Sequence, residues 1–300
     1  MSPQPAAGLW PPVATPFRTD LSVDLDALVA LCRKLLADGA HGLAVLGTTS
    51  EANSLDLAER RMVLERLVEA GIPTEALLPG TGACAVGDAA ALTAHAVGLG
   101  VRGVLLLPPF YYKNVSDDGL FAFVSAVIER VGDARLAVYL YNFPQMTTLA
   151  WSPALIERLL KAWPRTVLGL KDSSGDVAYV DTLLRSFPGF AVFPSSEALM
   201  LAALRKGAAG CISATANINA AAICRLYDAW RSPGADALAE PVAAVRRLVQ
   251  GFPMIPAVKA VLAARTGRPD WARVRPPLDA LDAARTRQLL DGLAALTAPA

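Results

Sequence analysis

The stretch Val167-Leu168-Gly169-Leu170-Lys171-Asp172-Ser173-Ser174-Gly175-Asp176 joins a short apolar run to a polar turn. A run of this length that ends in a turn is typical of a strand buried on both faces. Such strands belong to parallel sheets covered by helices, so the stretch predicts an α/β fold. Lys171 stands at the end of the predicted strand and is the first candidate for a functional residue.

A lysine at this place has two interpretations. Burial disfavours the charged ammonium form, and a neutral amine is the form that attacks a carbonyl carbon to make a Schiff base. Alternatively, Lys171 forms an ordinary ion pair with the neighbouring Asp172. The stretch by itself leaves both interpretations open.

Similar apolar runs recur along the chain, with helix-like segments between them. The predicted strands occupy residues 9–13, 43–46, 76–78, 103–107, 136–141, 167–170, 190–193 and 210–212. Eight strands alternating with helices predict a (β/α)₈ TIM barrel, with a doubly wound open sheet as the main alternative. Asp56 and Glu59 have the spacing of a capping box, and Ser116 is a predicted N-cap.

The strand pattern ends near Ile223, and the remainder of the chain is helical in character. Helical stretches cover residues 226–248 and 280–296, with a proline-marked break at Phe252-Pro253-Met254-Ile255-Pro256. We expect residues 1–224 to form the barrel that carries the active site. Residues 225–300 are expected to form a C-terminal helical extension packed on that barrel.

Composition narrows the class of protein. The 300 residues are 54% hydrophobic and 18% charged, which supports a large core and argues against disorder. The net charge of +1 and the lack of a block of like charges argue against nucleic acid or an acidic membrane surface as a partner. The N-terminus lacks a signal-peptide pattern, so we expect a cytoplasmic protein.

Metal and nucleotide sites are not indicated. The four cysteines form no C-x-x-C pair, and two histidines are too few for a usual zinc site. Gly80-Thr81-Gly82-Ala83-Cys84-Ala85 matches a loose dinucleotide-binding pattern, but the acidic residue expected about twenty positions later is absent. We therefore expect neither a metal nor a cofactor.

Polar residues collect where the predicted strands end. These are Gly47-Thr48-Thr49-Ser50-Glu51, Tyr111-Tyr112, Tyr141-Asn142-Phe143-Pro144, Lys171 and Ser213. In a barrel the carboxyl ends of all strands meet at one mouth, where the chemistry takes place. Each motif alone is also compatible with a plain turn, packing or a surface aromatic, but together they favour an active site.

These residues resemble the dihydrodipicolinate synthase/N-acetylneuraminate lyase family of class I, pyruvate-dependent aldolases. Residues 47–51 look like the family's G-[ST]-T-G-E loop, residues 141–144 like its Y-N-x-P turn, and residues 169–175 like its G-x-K-D-[ST]-S-G segment. Gly210-Cys211-Ile212-Ser213 and Ile255-Pro256-Ala257-Val258-Lys259 also correspond. The similarity covers nearly the whole chain, with the order and spacing of the motifs kept.

The resemblance implies the catalytic residues and the assembly. Lys171 corresponds to the Schiff-base lysine and Tyr141 to the acid–base phenol. Thr48 and Tyr112 would complete a proton relay, with Tyr112 reaching into the site of a neighbouring subunit. A homotetramer built as a dimer of dimers is implied, as are pyruvate and an aldehyde or 2-keto acid as substrates.

The resemblance also implies the substrate-binding residues. Thr48 and Thr49 would bind the pyruvate carboxylate, and Ile212 would line the pyruvate pocket next to Ser213. In the family's synthases, an arginine two residues after the Y-N-x-P proline binds the distal carboxylate of aspartate semialdehyde. Here that position is Met146, and a thioether cannot replace a guanidinium that faces a carboxylate.

The leading hypothesis is a pyruvate-dependent aldolase acting on a 2-keto-3-deoxy sugar-acid type of substrate. The alternatives within the family are dihydrodipicolinate synthase, with another residue serving the distal acid, and a dehydratase that shares the imine. A non-catalytic barrel used for ligand sensing is the alternative from a different class. The intact set of Lys171, Tyr141, Thr48 and Tyr112 argues against it.

Overall fold

Short parallel strands form most of the barrel wall in the computed structural model, which describes residues 4–297. Val104–Leu106 (β2), Val138–Asn142 (β3), Val167–Asp172 (β4) and Ala191–Pro194 (β5) make a four-stranded parallel sheet in that order. Gly8–Leu9 (β1) pairs in parallel with Gly210–Cys211 (β6). The last predicted apolar run thus lies beside the first.

Two predicted strands are present as extended segments joined by single bridges. Leu43 bridges Leu77, and Gly80 bridges Leu105, in both cases in parallel. The Ile212 amide donates to the Pro194 carbonyl (3.1 Å) and so links β6 to β5. The Ala44 amide donates to the Pro11 carbonyl (2.9 Å) and links the second segment to the first. With this bond the eight segments form a closed ring, which confirms the (β/α)₈ barrel and excludes an open sheet.

Helices cover the barrel and extend beyond it. They are Leu25–Ala37 (α1), Leu57–Glu69 (α2), Val86–Gly98 (α3), Asp117–Val131 (α4), Pro144–Thr147 (α5), Pro153–Ala162 (α6), Val177–Ser186 (α7), Glu197–Arg205 (α8), Ala216–Asp228 (α9), Ala235–Gln250 (α10), Met254–Thr266 (α11) and Ala283–Thr297 (α12). The capping box of Asp56 with Glu59 and the Ser116 N-cap are both formed as predicted. No helix in the described part of the chain is long and apolar enough to cross a membrane.

The C-terminal prediction was wrong in two places. The stretch 226–248 is not one helix, because residues 229–234 separate α9 from α10. The proline-marked segment 252–256 also contains the start of a helix, because α11 begins at Met254 and has Pro256 in its first turn. Proline is tolerated there because the first amides of a helix have no acceptor within it.

Glycines allow close approach between neighbouring segments of the wall. A Cβ at Gly80 would lie 2.3 Å from the Leu46 carbonyl oxygen, and one at Gly82 would lie 2.7 Å from the Leu107 backbone nitrogen. The guanidinium of Arg60 donates to the carbonyls of both glycines. The loose dinucleotide pattern therefore serves the packing of the barrel.

Candidate active site

A cavity of about 610 Å³ opens at the carboxyl ends of the strands. Its lining includes six of the eight residues predicted for the site: Thr48, Thr49, Tyr141, Met146, Lys171 and Ile212. They come from four separate segments of the barrel wall, as expected for side chains that follow parallel strands.

Lys171 is buried and has no charged partner. Its residue is 3% exposed, and its Nζ lies 4.0 Å from the centroid of the Tyr141 ring. Within residues 4–297 no carboxylate forms an ion pair with this amine. The Asp172 carboxylate instead accepts hydrogen bonds from Asn142 Nδ2 (2.7 Å) and Ser174 Oγ (2.8 Å). The ordinary ion pair with Asp172 is therefore not formed.

The Asp172 carboxyl is held away from the amine although the two residues are adjacent in β4. Burial raises the pKa of Asp172, and the hydrogen bonds from Asn142 and Ser174 oppose that shift. Lys171 and Asp172 alternate across the strand, so their side chains point to opposite faces. The lysine is thus directed to the cavity without its neighbour.

Tyr141 links Lys171 to the threonine turn. In the register of β3 and β4, Tyr141 lies opposite Lys171. Its hydroxyl is 3.3 Å from Thr48 Oγ1, and its ring stacks on Phe143 with centroids 5.9 Å apart. The Tyr141 carbonyl accepts from Trp151 Nε1 (3.0 Å). The Tyr141 ring therefore lies against the amine of Lys171, and its hydroxyl is in hydrogen-bond reach of the Thr48 hydroxyl.

The turn that carries Thr48 and Thr49 is tightly held. Leu46 and Glu51, at its two ends, adopt left-handed backbone angles (φ 58° and 56°). Such angles are uncommon for residues other than glycine and persist only where the surroundings enforce them. Ser50 supplies that support, because its Oγ donates to the Val13 carbonyl and its own carbonyl accepts from Thr15 Oγ1 (2.7 Å).

A second buried lysine stabilises the same turn from behind. Lys259 Nζ lies 2.5 Å from Glu51 Oε1, and both side chains are completely buried. The Arg275 amide donates to Glu51 Oε2 (2.8 Å). Burial lowers the pKa of Lys259 to about 8, which the attraction of Glu51 only partly opposes. The pairing of Lys259 with Glu51 was not predicted from the sequence.

Two predicted site residues do not line the cavity. Tyr112 is 72% exposed and packs edge-to-face against Tyr111, with ring centroids 5.3 Å apart. Ser213 is completely buried, and its hydroxyl donates to the Glu197 carboxylate and contacts Thr215 Oγ1 (3.0 Å). Within one chain, then, the hydroxyl pair of Tyr141 and Thr48 has no second tyrosine beside it.

The C-terminal part of the chain supplies an outer wall that sequence reasoning missed. Arg246, residues 253–256, residues 277–281 and Arg285 all line the cavity. We call these residues the C-terminal wall. Of these residues, only the proline-marked segment at 252–256 stands out in the sequence, and there the pattern predicts a break between helices, not a cavity wall.

Metal ligands and reactive thiols are not assembled here. No group of three His, Cys, Asp or Glu side chains within residues 4–297 is arranged to hold a metal ion. The four cysteines are free, and Cys211 and Cys224 are buried in the core. Burial raises the pKa of the Cys224 thiol to about 12.

A closed (β/α)₈ barrel with a buried amine at its carboxyl-end mouth defines the class of barrel enzymes that act through a lysine. Comparison with known proteins gives the family. Residues 5–296 match the Dihydrodipicolinate synthetase family, and the chain belongs to it. Members of this family are Schiff-base aldolases, and the chain is a class I lyase of this family.

Three similar proteins match along almost their whole length. An uncharacterized DapA-like lyase of Chloroflexus aurantiacus is 35% identical over 297 residues, which cover 97% of this chain and 98% of that protein. The crystal structure of dihydrodipicolinate synthase from Agrobacterium tumefaciens is 35% identical, with a TM-score of 0.89 over 97% of this chain and 99% of that one. YagE of E. coli K12, solved in complex with pyruvate, is 28% identical, with a TM-score of 0.89 over 97% and 98% of the two chains.

Proposed function

We propose that the protein forms or cleaves a C–C bond between pyruvate and an aldehyde, with a 2-keto-3-deoxy sugar-acid type of compound as the joined molecule. One observation carries this proposal. Lys171 is buried in the cavity without an ion pair, and its Nζ lies 4.0 Å from the ring centroid of Tyr141. A buried lysine amine beside a phenol is the pair of groups that imine chemistry uses.

The reaction begins with attack of Lys171 Nζ on the keto carbon of pyruvate. The resulting carbinolamine loses water and becomes an iminium ion, and Tyr141 supplies and removes the protons. The iminium withdraws electrons, so a methyl proton leaves and an enamine forms. The enamine carbon attacks the aldehyde carbon, and water then hydrolyses the new imine to release the product and the free lysine. Cleavage follows the same steps in reverse.

The substrate carboxylate is assigned to the threonine turn. Thr48 and Thr49 line the cavity with Lys171, and their hydroxyls and turn amides offer donors to an anion. Ile212 lines the same cavity, while its own amide is already bonded to the Pro194 carbonyl. We assign Ser213 a supporting role instead, because its hydroxyl is bonded to buried Glu197.

A second copy of the chain is proposed to complete the relay. Tyr111 and Tyr112 are both 72% exposed, an unusual exposure for large rings in one chain. We propose a homotetramer in which Tyr112 of one chain reaches the Tyr141–Thr48 pair of another, in the cytoplasm. Tyr112→Phe should lower kcat about 10-fold or more, whereas Tyr111→Phe, the matched control, should not. Equal effects would remove Tyr112 from the relay.

Dihydrodipicolinate synthase activity is the second candidate, because the structural relative from Agrobacterium tumefaciens carries that name. Met146 argues against it. Its side chain lies on the cavity rim and is 61% exposed, and it offers no donor to a distal carboxylate. A hydrogen bond to a charged group contributes about 1.5–3 kcal/mol, so its absence should cost about 10- to 200-fold in kcat/KM.

A substrate screen separates these candidates. Purified enzyme is tested for pyruvate release from 2-keto-3-deoxy sugar acids, and for condensation of pyruvate with aspartate semialdehyde. The proposal expects turnover of at least one sugar-acid substrate and little use of aspartate semialdehyde. Met146→Arg should recover part of the latter activity and impair the former. Wild-type use of aspartate semialdehyde at the rate of sugar acids would favour the synthase instead.

A further inference from the structure

Two arginines face the cavity from the C-terminal wall. Arg246 comes from α10 and Arg285 from α12. Neither is part of the chemistry described above, which uses the threonine turn, Tyr141 and Lys171. Apart from Lys171, the basic side chains of the lining belong to the C-terminal wall, and Met146 offers no charge.

Arg246 is held in place but keeps part of its hydrogen-bonding capacity. Its Nε donates to Gln250 Oε1 (3.2 Å), and its Nη1 donates to Ser213 Oγ (3.2 Å) and the Ser195 carbonyl (3.4 Å). Within the described residues, no hydrogen bond is formed by Nη2, although a guanidinium carries five N–H donors. Two donors therefore remain for a ligand in the cavity.

A buried carboxylate fixes the position of the guanidinium. Arg246 Nη1 lies 3.9 Å from Glu197 Oε2, and the two side chains are 14% and 0% exposed. Glu197 also accepts from the hydroxyls of Ser213 and Thr215. An arginine fixed in this way loses little side-chain entropy when it binds a ligand. The site is thus built before substrate arrives.

We infer that Arg246 binds an oxyanion, a carboxylate or a phosphate, at the end of the substrate remote from the keto acid. The inference rests on the proposed function, since it names the class of aldehyde which that reaction takes. Arg285 and Asp279 line the same cavity, but both are exposed to solvent, so Arg246 is the more buried of these charged groups. Its guanidinium attracts an anion and repels an ammonium, so a sugar-derived anion is selected over an amino-acid aldehyde.

The test compares acceptor aldehydes in condensation with pyruvate. The acceptors are D-glyceraldehyde, which is neutral, D-glyceraldehyde 3-phosphate and succinic semialdehyde. We expect kcat/KM for at least one charged acceptor to exceed that for D-glyceraldehyde by about 10- to 200-fold. The two charged acceptors separate a phosphate from a carboxylate as the group that is bound. A wild-type enzyme without this preference would overturn the inference.

Variants of Arg246 test whether this residue causes the preference for charged acceptors. In Arg246→Met the ratio of charged to neutral kcat/KM should fall close to one, and Arg246→Lys should give an intermediate ratio. Arg247→Gln is the matched control, because Arg247 is on the same helix but is 58% exposed and paired with Glu240. An unchanged ratio in Arg246→Met would contradict the inference. If that variant fails to fold, the wild-type ratio and Arg246→Lys still decide the question.

Failure of the inference differs from failure of the proposed function. Trapping of pyruvate on Lys171 with borohydride reports the imine alone and requires no acceptor. Normal trapping together with equal use of neutral and charged acceptors would overturn only the role of Arg246. Absence of trapping and of product from every acceptor would overturn the proposed function itself.

Discussion

Two lysines lie in the interior of this barrel enzyme, and they differ in their partners. Lys171 is 3% exposed and Lys259 is not exposed at all. Lys259 Nζ is 2.5 Å from the Glu51 carboxylate, whereas Lys171 has no ion pair within residues 4–297 and lies over the Tyr141 ring. Both contact an aromatic face, since Lys259 lies 4.3 Å from the centroid of the Phe17 ring.

The difference shows how the partner of a buried amine determines its role. The ion pair of Lys259 with Glu51 joins α11 to the threonine turn, and Arg275 bonds the same carboxylate. The ammonium group of Lys259 therefore has a structural role. The amine of Lys171 forms no ion pair within residues 4–297 and faces a cavity, so it is available as a nucleophile.

Lys171→Met should abolish aldolase activity without unfolding the protein. Loss of a nucleophile commonly lowers kcat by about 10⁴-fold or more. Because no ion pair is broken, the melting temperature should stay the same or rise. Activity assays and thermal denaturation measure both. A marked loss of stability would show that Lys171 has a structural partner.

Lys259→Met should have the opposite outcome. Removing one partner of a buried ion pair costs about 3–5 kcal/mol of folding free energy, because the other charge is left buried alone. Urea unfolding measures this loss. The double variant Lys259→Met/Glu51→Gln should recover part of it, since no unpaired charge remains. If the single variant is as stable as wild type, the pair does not secure the turn.

Tyr141→Phe should keep the fold and lose about 100-fold in kcat, which is typical for removal of an acid–base group. Tyr179→Phe is a matched control, because Tyr179 is half-buried, its hydroxyl donates to the Trp151 carbonyl (2.6 Å), and it does not line the cavity. The control should affect stability more than kcat. If Tyr141→Phe turns over near the wild-type rate, the Tyr141 hydroxyl takes no part in catalysis and the ring serves only for packing.

The pH dependence of stability distinguishes Lys259 further. Burial lowers its pKa from 10.5 to about 8, so between these pH values the unfolded chain binds more protons than the folded one. The contribution of Lys259 to the free energy of unfolding therefore increases as the pH rises from about 8 to 10.5. Wild type should gain stability relative to Lys259→Met between about pH 8 and 10. Parallel curves for the two proteins would contradict the shift.

Much of the barrel could be predicted from local sequence. Continuous apolar runs such as residues 167–170 are characteristic of parallel strands, and their number indicated closure. The meeting of Thr48, Tyr141 and Lys171 followed from one rule, that strand ends converge at the mouth. These inferences needed only neighbouring residues and the order of the elements.

Long-range contacts could not be predicted in the same way. The pairing of Lys259 with Glu51 joins positions far apart in the chain, and a lysine in a helix is ordinarily exposed. Arg246 was one arginine among many, and its contact with the cavity depends on how α10 packs against Ser195 and Ser213. Met254 begins a helix after a proline, where the sequence suggested a break.

Borohydride reduction in the presence of pyruvate tests the central claim most directly. Lys171 and Lys259 are the two buried lysines within residues 4–297, and mass spectrometry of peptides from the reduced protein identifies which one is modified. The account predicts one reduced pyruvate per chain, attached to Lys171, with Lys259 unmodified. An adduct on Lys259, or no adduct on either lysine, would contradict it.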